Sequence, residues 1–151
     1  MADRDDWFAA EKLHRAAADG DMERARELVS EGARLDVFDG IGYTPLHHAV
    51  KNQHISMIRL LLEAGAAINA REEETNSDTA ISVAAADSSA EIVRLLLERG
   101  ADPSIPGWMG IDAKYRADQR RDGLREEVLE VLEKHARRHQ PDHDLAHAPA
   151  W

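Results

Sequence analysis

Histidine is the residue type with the widest chemical repertoire in this sequence, and its eight copies fall into two groups. The last four recur at intervals of four, at positions 135, 139, 143 and 147. On one helix they would form a stripe, and His135 with His139 could bind a divalent metal ion. Pro141 interrupts such a helix, because proline lacks the backbone N–H and clashes with the preceding turn. We therefore predict no metal site, and expect residues 136–151 to form a mobile tail.

Motifs for an activated nucleophile or a phosphate-binding loop are missing from the sequence. It has no cysteine, which excludes disulfides, thiol catalysis and thiolate zinc sites. It contains no Gly-x-Ser-x-Gly, Gly-x-x-x-x-Gly-Lys, Gly-x-Gly-x-x-Gly or His-Glu-x-x-His motif. The carboxylates of Glu72, Glu73 and Glu74 lack an apolar enclosure, which favours a solvated charge run over an acid–base pair. We predict no catalytic residue, no cofactor and no enzymatic activity.

Composition and charge favour one compact domain that binds another protein. Hydrophobic residues make up 43% of the chain and charged residues 32%. The net charge of -10 disfavours nucleic-acid binding and favours a basic partner. No apolar run approaches the ~20 residues that cross a bilayer, and the first residues lack a signal-peptide pattern, so we expect a cytoplasmic protein with no membrane contact. Fifteen arginines against four lysines indicate a GC-rich bacterial source.

A unit of about 33 residues recurs along the chain. A Gly-Ala dipeptide begins at Gly32, Gly65 and Gly100, with spacings of 33 and 35 residues. A charged aliphatic segment precedes each dipeptide. A second similar segment lies upstream at the same offsets, as Leu13-His14-Arg15-Ala16, Leu46-His47-His48-Ala49 and Ile81-Ser82-Val83-Ala84. Three features that shift together predict a stack of repeats.

Each unit is predicted to be a pair of antiparallel helices. Thr44 suits the N-cap of a first helix, and Pro45 its first turn. The run from Ser88 to Glu91 contains a Ser-x-x-Glu capping box that would open a second helix. A left-handed glycine would close each second helix. The second helices carry aliphatic residues at i, i+3 and i+4, and a neighbouring repeat must cover this face.

Residues 42–49, Gly-Tyr-Thr-Pro-Leu-His-His-Ala, contain the Thr-Pro-Leu-His-x-Ala signature of ankyrin repeats without substitution. Over about residues 11–135 the sequence resembles an ankyrin repeat protein. The resemblance implies an all-α solenoid of about four helix-turn-helix units within a domain spanning 1–135. The units would lie at about 7–38, 39–73, 74–106 and 107–135, with the first and last acting as caps. The resemblance also implies that His47, and His14 at the matching place, form hydrogen bonds between repeats.

The partner-binding surface follows from the same resemblance. In ankyrin repeat proteins the loops before the first helices, called fingertips, and the exposed side of those helices commonly contact the partner. The residues at these places are Phe38, Asp39, Ile41, Tyr43, Lys51, Asn52, Asn76, Asp78, Asp87, Trp108, Met109 and Ile111. Aromatic residues and methionine are enriched at interface cores. The alternative for Phe38 and Trp108 is that they fold inward and seal the short caps.

These features together indicate a non-enzymatic protein–protein interaction module. One specific version is an immunity protein that inhibits a cognate toxin, because a net negative charge would speed its association with a basic toxin or enzyme. The alternatives are a regulatory or scaffolding subunit of a larger complex, and a histidine metal-binding protein.

Overall fold

The computed structural model describes residues 4–75 and 77–139, with side chains described from Phe8 onward. This part of the chain forms α-helices and no strand, which confirms the all-α prediction. The helices are α1 (Arg4–Asp19), α2 (Met22–Ser30), α3 (Pro45–Lys51), α4 (Ile55–Glu63), α5 (Ala80–Asp87), α6 (Ala90–Glu98), α7 (Ala113–Asp118) and α8 (Arg125–His139). A 3₁₀ turn at Trp108–Gly110 precedes α7.

The helices form two layers of a solenoid. In the inner layer α1 packs on α3, α3 on α5 and α5 on α7, and each of these helices also packs on the one that follows it. In the outer layer α2 packs on α4, and α6 on α8. The core between the layers includes Leu13, Leu46 and Ile81 from inner helices and Ile58 and Leu96 from outer helices, all at most 1% exposed. Each such side chain contributes roughly 1.5–3 kcal/mol, so the stacking of repeats stabilises the fold.

Residues with polar side chains are the N-caps of the inner helices α3, α5 and α7. Thr44 has extended backbone angles and Pro45 is the first residue of α3, as predicted. At the equivalent places Thr79 accepts a hydrogen bond from the backbone N–H of residue 82, and Asp112 accepts one from the N–H of residue 115. Each bond satisfies a donor that the helix itself leaves unpaired. Helices α3, α5 and α7 therefore start at matching positions, and the loops before them lie side by side.

Left-handed glycines end the outer helices, as the repeated Gly-Ala dipeptide predicted. The φ angles of Gly32, Gly65 and Gly100 are 86°, 103° and 96°. The alanine after each glycine donates its N–H to a carbonyl five residues earlier, at 2.9–3.0 Å. Side chains other than glycine are strained at such φ values, which accounts for glycine at all three corners.

Two helix ends differ from the sequence prediction. Ser89, and not Ser88, is the N-cap of α6, since its hydroxyl accepts the N–H of Ile92 at 3.4 Å while Ser88 is buried. The last helix was expected to end near residue 135, but α8 continues to His139. Residues 136–139 favour this extra turn, because they carry cations next to the negative end of the helix dipole. The predicted tail therefore begins with a helical turn, and its remaining residues, 140–151, lie outside the described part.

Candidate partner-binding face

Histidines of the first two inner helices, α1 and α3, bond their repeats to the next one along the chain. The Nε2 atom of His14, on α1, lies 3.0 Å from the carbonyl oxygen of Tyr43 in the loop before α3. One repeat later, Nε2 of His47 lies 2.7 Å from the carbonyl oxygen of Asp78, before α5. Both side chains are at most 8% exposed. The expectation of a structural role for these two histidines is confirmed.

The His47 side chain is held in one tautomer. Its Nδ1 accepts the backbone N–H of Thr44 at 3.1 Å, so Nε2 carries the proton that is donated to Asp78. Burial disfavours the charged imidazolium and lowers the pKa of His47 from 6.5 to about 4, although the bond to Asp78 acts the other way. His47 is therefore neutral near pH 7, and it supports the loops of two adjacent repeats.

The Asp39 carboxylate shapes the first fingertip. Its Oδ1 accepts the backbone N–H groups of Ile41 and Tyr43 at 3.0 Å, and its Oδ2 lies 2.6 Å from Nε2 of His48. Burial acts to raise the pKa of Asp39, but the hydrogen bonds from His48, Tyr43 and Ile41 outweigh it, and the pKa is lowered. This carboxylate, which the sequence places among the partner-binding residues, is thus already engaged within the loop.

The Tyr43 ring lies half-buried among the imidazoles of α3. It stacks on His47 with ring centroids 5.1 Å apart and meets His48 edge-on at 5.5 Å. The exposed Lys51 places its Nζ atom 5.7 Å from the ring centroid, within range of a cation–π contact. Asn52 is also exposed, and its amide donates to the carbonyl oxygen of His48 at 3.0 Å. Tyr43, Lys51 and Asn52 therefore form a surface at the centre of the inner layer.

Asp78 joins the third repeat to the fourth. Its carboxylate accepts the N–H of Trp108 at 3.0 Å and contacts the guanidinium of Arg116 at 2.8 Å. A Cβ atom at Gly107 would lie 2.0 Å from Oδ1 of Asp78, so this close approach requires glycine. Like Asp39, Asp78 uses its carboxylate to position a fingertip. Asn76, also predicted as a binding residue, lies outside the described residues.

Large apolar side chains are exposed at the first and last fingertips. The exposed fractions are 62% for Ile41, 56% for Trp108 and 69% for Met109, which has a φ of 60°. Trp108 therefore points outward and does not seal the C-terminal cap. Phe38 is only partly exposed and lines a groove of about 720 Å³ between α1 and its own loop. The first and last fingertips offer apolar contact area to a partner.

A smaller cleft lies between the end of α5 and α7, and we call it the α5–α7 cleft. Its volume is about 270 Å³. It is lined by Ala86, Asp87, Ile111, Tyr115, Arg116, Gln119 and Arg120. The cleft contains two of the sequence-predicted binding residues, Asp87 and Ile111. It adds Tyr115, which is 53% exposed and which the sequence prediction missed.

A second set of bonds between repeats was not predicted. In the first three inner helices, α1, α3 and α5, a carbonyl near the C-terminal end is capped from the turn of the next repeat. His54 Nε2 binds the Ala18 oxygen, Ser88 Oγ the Val50 oxygen and Arg120 Nη1 the Ala85 oxygen, all at 3.0 Å. Arg120 aligns with Asn52 and Asp87 of the earlier repeats, which are exposed, yet it is only 7% exposed. Because three different residue types make equivalent bonds, the sequence repeat alone does not show them.

The C-terminal histidines make no metal site in the described part of the chain. His135 and His139 stack with centroids 4.0 Å apart, and Nδ1 of His139 lies 3.0 Å from the carbonyl oxygen of His135. Across residues 4–75 and 77–139, no three His, Asp or Glu side chains are placed to hold a metal ion. The two remaining histidines of the stripe, His143 and His147, lie outside the described residues.

The fold and the inter-repeat bonds are those of an ankyrin repeat domain, and the chain belongs to the ankyrin repeat family. The family model described as three copies of ankyrin repeats matches residues 13–106. Ankyrin repeats are a general protein–protein interaction module, and the family is generally non-enzymatic.

Curated relatives carry such repeats within longer proteins. The chain is 32% identical over 90 residues to ankyrin repeat and SOCS box protein 3 of Bos taurus, covering 59% of this chain and 17% of that protein. It is 35% identical over 91 residues to inversin of Danio rerio, covering 60% of this chain and 9% of that protein. It is 31% identical over 126 residues to a putative E3 ubiquitin-protein ligase, XBAT34, of Arabidopsis thaliana, covering 83% of this chain and 33% of that protein. The chain thus spans a third or less of these relatives.

None of the helices in the described part is long and apolar enough to cross a membrane.

Proposed function

We propose that this protein binds one partner protein through its fingertip loops and the exposed side of its inner helices. The observation that carries the proposal is the exposure of Ile41, Trp108, Met109 and Tyr115 on loops and helix starts that inter-repeat bonds hold in place. Apolar side chains that are kept in water on a fixed frame are costly unless a partner covers them. A fixed frame also reduces the ordering cost of binding.

The contacting residues divide into two sets by their bonding. Ile41, Tyr43, Lys51, Asn52, Asp87, Trp108, Met109 and Ile111 present side chains to the partner, and Phe38 contributes through its groove. Asp39 and Asp78 hold the fingertips in shape. We therefore expect these two carboxylates to act indirectly. Their loss would change the geometry of the fingertip loops, and the contacts with the partner would change as a result.

The partner we propose is a basic protein, and more specifically a bacterial toxin whose active site this protein covers as an immunity protein in the cytoplasm. The support is electrostatic: the chain carries a net charge of -10, which raises the encounter rate with a basic surface. Co-expression with a toxin encoded beside this gene should restore growth. Failure to restore growth, with both proteins present, would remove this specific role.

The direct test is capture of the partner from the native host by the full-length protein, followed by a double substitution, Trp108→Ala with Met109→Ala. We expect binding to weaken at least a hundredfold, because buried aromatic anchors contribute disproportionately at interfaces. The unfolding midpoint should change little, since both side chains are more than half exposed. The matched control is Arg59→Ala with Arg94→Ala, two exposed positions on the outer helices. Unchanged binding by the fingertip variant would overturn the proposal.

A scaffolding or regulatory subunit is the second candidate. It is favoured by the relatives, in which the matching segment makes up only 9% to 33% of the protein. Mass measurement of the captured complex separates the candidates: a one-to-one complex that blocks its partner's activity supports an inhibitor, and a larger assembly with retained activity supports a scaffold.

A further inference from the structure

The α5–α7 cleft combines an apolar wall, an aromatic ring and a carboxylate. Ile111 and the half-exposed ring of Tyr115 lie on the α7 side, and Ala86 with Asp87 ends α5 on the other. Asp112 holds the backbone that carries the ring, because its carboxylate caps α7 by accepting the backbone N–H of Tyr115 at 2.9 Å. The walls therefore belong to two packed helices, α5 and α7, and to the residues that flank α7.

Among the charged side chains that line the cleft, one carboxylate has no ion-pair partner within the described residues. Arg116 is paired with Asp78 at 2.8 Å, and Arg120 with Asp122 at 2.5 Å. Asp87 is exposed and forms no ion pair with any residue in 8–75 or 77–139. Both guanidinium groups of the lining are thus paired with carboxylates outside it, and Asp87 is left as the unpaired charged group among the lining residues. The charge of Asp87 also affects Tyr43. Burial is the largest cause that raises the pKa of Tyr43, the carboxylates of Asp78 and Asp87 add to it, and Arg116 acts the other way.

The size of the cleft limits what can occupy it. Its volume of about 270 Å³ lies below the range of roughly 300–1,000 Å³ that is usual for sites of drug-sized ligands. One long side chain is the better match. An aliphatic stem would cover Ile111, and a planar cation would stack on Tyr115 and reach Asp87. Guanidinium groups stack on aromatic rings and pair with carboxylates more readily than ammonium groups do.

We propose that the α5–α7 cleft receives an arginine side chain of the partner protein. The inference rests on the proposed function, because the arginine belongs to the protein that covers the fingertips. The exposed Trp108 and Met109 lie on the loop that leads into α7, and they would contact the residues next to that arginine. The cleft would then set the register of the partner on this face.

The test uses the isotope-labelled full-length protein and a probe that carries only the proposed group. N-acetylarginine methylamide is titrated while backbone amide shifts are followed, with N-acetylcitrulline methylamide as an uncharged analogue of the same shape. We expect saturable shifts at Asp87, Ile111, Tyr115 and Gln119 with a dissociation constant on the order of 1 mM, the scale for a single small group. The citrulline analogue should bind at least tenfold more weakly.

Substitutions connect the shifts to the two groups that would hold the guanidinium. Asp87→Asn should weaken arginine binding at least tenfold and Tyr115→Leu about fivefold. Glu91→Gln, which removes one exposed charge from outer helix α6, should have no effect. Equal binding of arginine and citrulline would show an apolar pocket, and shifts that follow protein concentration without probe would show a second copy of the chain. Either outcome overturns the inference.

The captured partner separates this inference from the proposed function. If Asp87→Asn and Tyr115→Leu leave the complex unchanged while Trp108→Ala with Met109→Ala abolishes it, the arginine inference fails and the binding face stands. If the fingertip variant retains the partner, the binding face fails, whatever the arginine probe does.

Discussion

At the scale of single residues, the polar side chains of the inner layer divide between holding repeats together and facing a partner. His47 belongs to the first group: both its ring nitrogens are used, by Thr44 on its own repeat and by Asp78 on the next. Tyr43 belongs to both groups, because its carbonyl oxygen binds His14 while its ring is half-exposed beside Lys51. The repeat signature therefore fixes the frame, and the residues adjacent to it are those that we propose contact the partner.

The buried neutral state of His47 makes stability depend on pH. Its pKa is about 4 in the folded protein against 6.5 for a histidine exposed to water, so below pH 6.5 the unfolded chain takes up the proton first. The contribution of His47 to the free energy of unfolding has its full value above pH 6.5. It decreases as the pH falls towards 4, by a total of about 3 kcal/mol. Urea unfolding at pH 7 and pH 4.5 measures the loss. A His47→Gln variant should show a shallower pH dependence than the wild type, and an identical slope would contradict the assignment.

At the scale of elements, the inner helices α1, α3 and α5 depend on the next repeat to complete their C-terminal ends. His54, Ser88 and Arg120 cap the last carbonyls of α1, α3 and α5. A helix of seven or eight residues, such as α3 or α5, is too short to be stable alone, so capping from outside contributes to its formation. This is one physical reason why the repeats form only as a stack.

Arg120 offers the sharpest test of this capping, because its neighbour provides the control. Its side chain is 1% exposed and donates to the carbonyl oxygens of Ala85 and Ser88. Arg120→Met leaves both carbonyls without that donor, and should lower the free energy of unfolding by about 2–4 kcal/mol. The exposed Arg121, changed to Met, should shift it by no more than about 0.5 kcal/mol. Chemical denaturation of both variants distinguishes them. Equal effects would mean that the buried guanidinium does not stabilise α5.

At the scale of the whole molecule, the solenoid has a short inner surface and a strong negative charge. The inner helices α1, α3, α5 and α7 stack in sequence, and exposed apolar residues lie at the first and last fingertips. The net charge of -10 acts over distances longer than any contact, so it affects the rate of encounter more than the lifetime of the complex.

Salt should therefore change association and leave dissociation nearly unchanged. With the captured partner, we expect the association rate constant to fall about tenfold between about 50 and about 300 mM salt, because screening shortens the range of the charge. A Glu73→Gln, Glu74→Gln variant removes two exposed charges from the second fingertip and should associate more slowly at low salt. Surface plasmon resonance gives both rate constants. An association rate that rises with salt would mean that the partner surface is not basic.

The sequence by itself determined the repeat and the glycine corners that end the outer helices. The Gly-Ala corners and Thr44 with Pro45 predict helices and caps, because each depends on local backbone chemistry. The inter-repeat bonds of the paired histidines follow from the resemblance to ankyrin repeats. The tertiary structure decided which polar residues remain available. Asp39 and Asp78 are engaged within the frame, Arg120 is buried, and Tyr115 is exposed beside Asp87. These outcomes depend on how neighbouring repeats pack, and residues that are distant in sequence and unrelated in type decide them.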